Sequence, residues 1–425
     1  MIEEKVVDTD DDDKRRRGTR GDNGLRPKAS RITEIDPCAF SRLDTGIGEL
    51  NRVLGGGLVK GSLTLISGEP GIGKSTIILQ AAAKIASKYG KVLYVSGEES
   101  VEQIKMRADR VSPDPRGDIF ILSETNMENV TAVIGDLEPA LVIIDSIQTM
   151  YTSDLDSAQG SVSQVRACGN ELMRIGKTKN IPVFITCHVT KSGELAGPKI
   201  VEHLVDCVLN FTGERNQELR ILRAYKNRYG TTSEIGAFEM SEEGLVEIEN
   251  LSKTFIDGME TGIEGSVAAA VYEGTRPLLL EVQALVSPAG VGFARRTAIG
   301  VELSRLNMIL AVLDRKAGVP LVNQDVYVNV VGGLKPEGTS TDLAVALAIY
   351  STFKGKPCPE KALAIGEIGL TGDLRSIQNA DKIVKEAARM GFEKIIMPHR
   401  NAAKLENAPV KLTGVKNIRE AILSL

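Results

Sequence analysis

The sequence predicts an α/β protein whose first part is a parallel sheet flanked by helices and whose second part is of the α+β type. A glycine-rich segment at residues 68–76 joins a short apolar run at 61–67 (GSLTLIS) to a helix-forming run at 74–89. Two later apolar runs have the length of buried strands. The composition changes over residues 251–262 (LSKTFIDGMETG), so we place the domain boundary there, with domains at 41–255 and 256–425.

The glycine-rich segment fits a phosphate-binding loop, in which a glycine, four residues and Gly-Lys-Ser/Thr join a strand to a helix. Backbone N–H groups of such a loop and the helix N-terminus bind a polyphosphate. We expect Lys74 to reach the β- and γ-phosphates of ATP and to face solvent without nucleotide, and Ser75 to bind Mg²⁺. The predicted nucleotide contacts are Gly68, Glu69, Pro70, Gly71, Ile72, Gly73, Lys74, Ser75 and Thr76.

Two apolar runs near this loop end next to carboxylates. The run 141–145 (LVIID) ends at Asp145, which we expect to hold the Mg²⁺ shell. The run 91–96 (KVLYVS) is followed by Gly-Glu-Glu-Ser, and we predict that Glu98 polarises the attacking water. Alternatively, Glu98 or Glu99 caps the helix that starts near Val101.

Two further strands carry polar residues that suit a nucleotide site. His188 follows the strand 181–186, and we expect it to sense the γ-phosphate rather than to bind a metal, since no other ligand is near in sequence. In the strand-like run 220–229 (RILRAYKNRY), Lys226 and Arg228 are two residues apart and so face the same side. Two such cations suit the γ-phosphate of a neighbouring subunit. The alternative is a basic strand edge that discourages aggregation.

The order of phosphate loop, strand-Gly-Glu and strand-Asp-Ser resembles the RecA-like ATPases. Five segments more specifically resemble the bacterial RadA family, also called Sms. This resemblance extends from about Arg42 to the C-terminus. The departure from the family's Lys-Asn-Arg-Phe-Gly signature is Tyr229 in place of phenylalanine. The segments are LGGGL at 54–58, SGEES at 96–100, DSIQT at 145–149, HVTK at 188–191 and KNRYG at 226–230.

The resemblance implies a cytoplasmic ATPase that uses ATP and Mg²⁺ in DNA repair and homologous recombination. It implies branch migration of recombination intermediates on single-stranded and branched DNA, alongside the RecA recombinase, by a homo-oligomeric ring that we expect to be a hexamer. Two other classes stay open: a RecA-like recombinase that forms filaments, and a regulatory RecA-like ATPase that acts on proteins.

The net charge of −4 does not indicate a nucleic-acid-binding protein, so DNA contacts are expected to be local. The resemblance implies that the loops 151–161 and 190–199 face a central channel that holds single-stranded DNA. Lys191 and Lys199 are the predicted phosphate contacts; the alternative is a surface loop with two solvated lysines. Candidate DNA contacts in the second domain are Arg295, Arg296, Arg305, Arg315 and Lys316.

The pattern of the second domain resembles the proteolytic domain of Lon (S5-type), which uses a serine just before a helix and a lysine further on. Ser340 falls at the serine position, whereas alignment through residues 366–372 (GEIGLTG) puts Asp381 at the lysine position and Lys382 one residue late. One residue turns a helical side chain by about 100°, so we expect the dyad not to form and the domain to serve ring assembly and DNA contact. The alternative is that Lys382 swings in and the domain is a working protease.

Composition sets the remaining expectations. No apolar stretch approaches about 18 residues, so no membrane span is expected. The family normally starts with a four-cysteine zinc module, but residues 1–40 contain only Cys38, so no zinc is expected. Residues 10–14 (DDDDK) are either an engineered cleavage site or part of a natural charged tail, and in either case we expect disorder from residue 1 to about residue 30. Five cysteines without a Cys-x-x-Cys pair suit a reducing cytoplasm: Cys38, Cys168, Cys187, Cys207 and Cys358.

Overall fold

The first part of the chain builds a nine-stranded sheet in the order β11-β10-β9-β8-β3-β7-β6-β4-β5, with a two-stranded β1-β2 ribbon beside it. The six strands from β8 to β5 are parallel, and β9, β10 and β11 continue the sheet in antiparallel fashion. The strands are β1 (Arg42–Leu43), β2 (Leu58–Val59), β3 (Leu63–Gly68), β4 (Val92–Ser96), β5 (Ile119–Ser123), β6 (Leu141–Asp145), β7 (Val183–His188), β8 (Cys207–Thr212), β9 (Leu219–Asn227), β10 (Ile235–Ser241) and β11 (Gly244–Glu247).

This description comes from a computed structural model. It describes residues 31, 33, 41–111, 118–188, 197–213, 218–260, 262–290, 293–332, 335–336, 338–405 and 407–425, and of residues 188 and 197–199 the backbone only.

Helices cover both faces of the parallel strands. Leu65 and Ile66 are adjacent in β3, and they lie in separate apolar cores because successive side chains of a strand point to opposite faces. Both faces are thereby buried, which explains the continuous apolar runs of the central strands. The helices are α1 (Gly48–Leu54), α2 (Lys74–Tyr89), α3 (Val101–Val111), α4 (Met127–Leu137), α5 (Val162–Lys179), α6 (Gly197–Leu204) and α7 (Leu251–Ile256).

The second part builds a mixed seven-stranded sheet in the order β14-β15-β13-β12-β16-β19-β20, which confirms the predicted α+β class. Its strands are β12 (Ser266–Glu273), β13 (Arg276–Pro288), β14 (Arg296–Ile299), β15 (Gln324–Val330), β16 (Ala362–Ala364), β17 (Glu367–Ile368), β18 (Leu374–Arg375), β19 (Lys394–Pro398) and β20 (Lys411–Val415). Its helices are α8 (Leu303–Val312), α9 (Asp342–Lys354), α10 (Ala380–Arg389), α11 (His399–Ala402) and α12 (Ile418–Leu423).

One apolar core runs through both parts. Ile221 and Ile235 of the first sheet share it with Leu280 of the second, and Phe255 of α7 lies at the junction. The short helix α7 falls within the segment whose composition changes, and the boundary at residue 255 stays a prediction. Among the described residues, no helix is long and apolar enough to cross a membrane.

Candidate nucleotide-binding site

The glycine-rich loop leaves the carboxyl end of β3 and enters α2, as its sequence predicts. Gly68 and Gly73 both have positive φ, and both lie where a side chain would clash. A Cβ at Gly68 would lie 2.7 Å from the Phe211 carbonyl oxygen, and one at Gly73 would lie 2.9 Å from the Met240 methyl carbon. The bare backbone therefore forms a cradle that fits a polyphosphate.

A cavity of about 410 Å³ opens beside this loop. It lies at the edge where β3, β4 and β6 end, because Ser96 is paired in register with Asp145. Ligands of open parallel sheets bind at this edge. The lining residues are Gly71, Gly73, Lys74, Ser75, Thr76, Ser96, Glu98, Glu99, Arg107, Arg110, Asp145, Arg220 and Met240.

Lys74 does not face solvent, and that expectation was wrong. Its side chain is buried, and Nζ donates to the carbonyl oxygens of Gly68 and Glu69 at 2.9 and 3.0 Å. Burial lowers the pKa of Lys74, and the charge of Asp145 partly opposes this shift. The ammonium therefore lies inside the loop, where an arriving phosphate would replace these carbonyl contacts.

The carboxylate of Asp145 is held on both oxygens. Tyr94 donates its hydroxyl to Oδ2, and Thr186 donates to Oδ1 at 2.6 Å. Burial, and then the nearby Asp145 charge, raise the pKa of Tyr94 well above its usual value, so the hydroxyl remains a donor. Ser75 lines the same cavity. Hydroxyl and carboxylate oxygens suit Mg²⁺, and the two residues line one cavity; their role as ligands of that ion stays a prediction.

Glu98 lines the cavity and accepts a 2.5 Å hydrogen bond from the hydroxyl of Ser146. Its neighbour Glu99 pairs with Arg107 instead. Neither glutamate caps α3, so that alternative was wrong. Ser100 and Gln103 do so as a reciprocal capping box, with N–H to side-chain oxygen distances of 2.9 and 3.4 Å.

Three arginines of the cavity were missed from the sequence. Arg107 and Arg110 lie three residues apart on α3 and so share a helical face, a spacing that could have pointed to them. Arg220 is the second residue of β9. It lies near the phosphate loop because of the order of strands in the sheet, which cannot be read from local sequence patterns. Burial lowers the pKa of Arg220. The cavity thus has more positive charge than Lys74 alone supplies.

The backbone of His188 is paired in register with Gly68, at the level of the phosphate loop. This position is compatible with a γ-phosphate sensor, and the role stays a prediction. Among the described residues, no cluster of three or more His, Cys, Asp or Glu side chains could hold a metal ion. Cys38 lies outside the described residues.

Lys226 and Arg228 lie at the opposite end of the sheet from their own phosphate loop. Asn227 pairs with Cys207 at the start of β8, whereas the loop follows the end of the parallel neighbour β3. Lys226 Nζ donates to the carbonyl oxygen of Glu202 at 2.7 Å, and Arg228 Nη1 donates to Asp206 Oδ1 at 3.1 Å. These contacts place both cations beyond reach of their own nucleotide site; action on a neighbour stays a prediction.

The residues predicted to contact DNA lie in different environments in the structure. Lys191 lies outside the described residues, and Lys199 is described only as backbone in α6. Arg295 is exposed. Arg296 instead donates to carbonyl oxygens, among them Leu321 at 3.0 Å. The exposed Arg315 and Lys316 lie in a π-helical turn, Leu313–Ala317.

Arg305 is held inside the second domain. Its guanidinium pairs with the buried carboxylate of Asp342 and donates to the Ile368 carbonyl oxygen at 3.0 Å. Because a phosphate would have to compete with a buried carboxylate, Arg305 is better explained as part of the fold than as a DNA contact.

Ser340 and Lys382 are directed to separate partners. Ser340 donates its hydroxyl to the Ala270 carbonyl oxygen at 3.0 Å. Lys382 Nζ bonds to the hydroxyl of Tyr272 at 2.5 Å and lies 4.9 Å from the centre of that ring. The Tyr272 hydrogen bond raises the pKa of Lys382, which opposes the neutral amine that a base requires.

Comparison with known proteins found two family models and related solved structures. A family model described as an AAA domain matches residues 28–194, and one described as subunit ChlI of Mg-chelatase matches residues 291–401. The crystal structure of a RadB recombinase aligns over 49% of this chain and 100% of its own, with a TM-score of 0.38 and 24% identity.

Two relatives show the family to which the chain belongs. The DNA repair protein RadA of Bacillus subtilis is 49% identical over 399 residues, covering 93% of this chain and 86% of that protein. RadA of Listeria monocytogenes is 46% identical over 420 residues, covering 98% of this chain and 92% of its own. By this similarity the chain belongs to the RadA family of DNA repair proteins, which are RecA-like ATPases.

Proposed function

We propose that this chain is a DNA-dependent ATPase that branch-migrates recombination intermediates as a homo-oligomeric ring, a hexamer, in the cytoplasm. It acts on single-stranded and branched DNA and works alongside the RecA recombinase. One observation supports the proposal above all: Lys74, Asp145 and Glu98 line one cavity at the edge of the sheet in a chain of this family. The proposed function requires no zinc ion.

The chemistry of the proposed site follows from its geometry. Lys74 neutralises charge on the β- and γ-phosphates, and Ser75 and Asp145 would hold Mg²⁺, which would add to that neutralisation. Glu98 accepts a proton from the attacking water. Lys226 and Arg228 act on the nucleotide of the neighbouring subunit, which makes hydrolysis depend on assembly.

Two alternatives differ in what the ATPase acts on. A recombinase would form filaments and pair strands itself, and a regulatory ATPase would act on a protein without responding to DNA. The contacts of Lys226 with α6 favour the motor, because α6 begins within the predicted DNA loop and carries its Lys199. A change in the DNA loop would thereby reach a residue proposed to act on the neighbour's nucleotide.

The first test measures ATP hydrolysis with and without single-stranded DNA. We expect DNA to stimulate the parent chain. We expect Glu98→Gln to lose roughly 10²–10⁴-fold in kcat, because it keeps the shape of the side chain but cannot take a proton. Glu102→Gln is the matched control, an exposed carboxylate on α3. Equal rates for Glu98→Gln and the parent would remove Glu98 from the mechanism. If single-stranded DNA does not change the rate of ATP hydrolysis by the parent chain, the regulatory alternative is favoured.

The second test asks whether the loop lysines contact DNA phosphates. Replacing Lys191 and Lys199 together by alanine should weaken binding of single-stranded DNA. Each lost phosphate contact should reduce the slope of log affinity against log salt by about 0.7. Binding of ATP without DNA should be unchanged. A slope equal to that of the parent would direct the search to Arg295 and the exposed turn around Arg315.

The third test asks whether the second domain cleaves peptide bonds. We propose that it does not, because Lys382 is engaged with Tyr272 and a serine hydroxyl without a base is a poor nucleophile. Ser340→Ala should leave ATP hydrolysis and DNA binding at parent levels, and neither protein should release peptide fragments with or without ATP. Covalent labelling of Ser340 by a serine-reactive phosphonate would contradict the proposal.

A further inference from the structure

Ser146 follows Asp145 but does not line the nucleotide cavity, and its side chain is fully buried. Its hydroxyl donates to Glu98 Oε1 at 2.5 Å. The bond joins two segments that follow neighbouring strands, β4 and β6, which are paired in register up to Ser96 and Asp145. Ser146 therefore contacts the proposed base from behind the cavity wall, without lining the cavity itself.

The backbone on both sides of this bond is fixed. The carbonyl oxygen of Ser146 accepts from the Thr149 hydroxyl at 2.8 Å and from the Thr149 N–H at 3.2 Å. Gly97 packs so closely on this turn that a Cβ there would lie 2.2 Å from Thr149 Oγ1. The N–H of Gly97 also donates to the Asp145 carbonyl oxygen at 3.2 Å. Donor and acceptor are thus mounted on one rigid unit.

The neighbouring glutamate shows what the bond adds. Glu99 is held by Arg107, away from Ser146. Glu98 is the more exposed of the two and projects from a loop, where several rotamers are open to a glutamate side chain. A buried donor aimed at one of its oxygens favours one orientation of that carboxylate.

We infer that Ser146 is a positioning residue for ATP hydrolysis: its buried hydroxyl orients the carboxylate of Glu98 toward the attacking water. This inference rests on the role of Glu98 proposed above. It predicts a change in kcat without a change in nucleotide affinity, since Ser146 does not line the cavity.

The test compares Ser146→Ala with the parent in steady-state ATP hydrolysis and in binding of a fluorescent ATP analogue. Misplacing a reacting group by about 1 Å can cost on the order of 10²-fold in rate, and we expect a loss approaching that in kcat. The dissociation constant of the analogue should change less than about twofold. Ser351→Ala is the matched control, because it removes an equally buried hydroxyl from α9 in the second domain. It should keep the parent kcat.

A double-mutant cycle with Glu98→Gln separates positioning from a general structural role. If Ser146 acts through Glu98, adding Ser146→Ala to Glu98→Gln should lower kcat no further. The same fold-loss in both backgrounds, an unchanged kcat for Ser146→Ala, or weakened analogue binding would each overturn the inference. An active Glu98→Gln variant would instead show that the proposed base is wrong. Ser146→Cys, which replaces the hydroxyl by a slightly larger and weaker donor, should give an intermediate kcat and serves if Ser146→Ala is unstable.

Discussion

Lys74→Ala should lose ATP turnover by at least roughly 10²-fold, because it removes a cation from the position where negative charge grows during phosphoryl transfer. The measurement is kcat at saturating ATP and Mg²⁺. Lys88→Ala is the matched control, since Lys88 lies on the same helix but is exposed, and it contacts Asp44 and the Tyr89 ring at the surface. It should hydrolyse ATP at the parent rate.

The burial of Lys74 changes what is expected of the folded chain. Truncation leaves the carbonyl oxygens of Gly68 and Glu69 without this donor, which costs roughly 1–3 kcal/mol for a buried acceptor. Removing a buried ammonium offsets part of that cost. We therefore expect a modest change in Tm and an intact circular dichroism spectrum. A folded Lys74→Ala chain with near-parent turnover would contradict the assignment of the phosphate loop.

Local patterns predicted the elements around the loop closely. The helix expected over residues 74–89 is α2, and the strand expected over 141–145 is β6. Both follow from periodicity and from turn residues that act over a few positions. The position of Glu98 beside Asp145 also followed, because the carboxyl ends of parallel strands meet at one edge.

The misses depend on contacts between distant parts of the chain. Arg220 reaches the cavity because β9 lies next to β8, two strands from β3, an order that no local pattern encodes. Tyr94 reads as an ordinary core residue of β4, and its role in holding Asp145 appears only once β4 and β6 are paired. Arg305 looked like a surface cation because its partner Asp342 is 37 residues away.

The largest effect is expected from Arg228→Ala. We call Arg228 a finger, because we propose that it acts in trans, on the nucleotide of the neighbouring subunit. Its loss should lower kcat by roughly 10³–10⁵-fold while ATP still binds. The motivation is its place at the sheet end opposite its own phosphate loop. Its side chain is 53% exposed and, within the described part of the chain, donates one of its five side-chain N–H groups, to Asp206, so donors remain for a neighbour's phosphate. Lys226 is a less specific probe, because it also holds the C-terminal carbonyls of α6.

Stability must be controlled in this experiment. Asp206 is buried and accepts from the Leu63 N–H at 3.1 Å as well as from Arg228, so Arg228→Ala leaves a buried carboxylate with one partner fewer. Arg228→Gln removes the charge but keeps an amide donor for Asp206, and it should be equally slow if the charge matters. Arg174→Ala, at an exposed ion pair on α5, should keep the parent rate.

Mixing variants decides whether the finger acts in trans. Arg228→Ala subunits carry an intact phosphate loop and Lys74→Ala subunits carry an intact finger, and each protein alone should be nearly inactive. In mixed rings, some interfaces pair an intact loop with an intact finger, so activity should partly return. Subunit exchange is followed by energy transfer between labelled chains. If exchange occurs and no activity returns, either both groups serve the site of one subunit or the ring needs uniform sites. Since the fold holds Arg228 at the end of the sheet far from its own phosphate loop, we expect activity to return. The dependence of that activity on the mixing ratio would show how many interfaces hydrolyse ATP independently of one another.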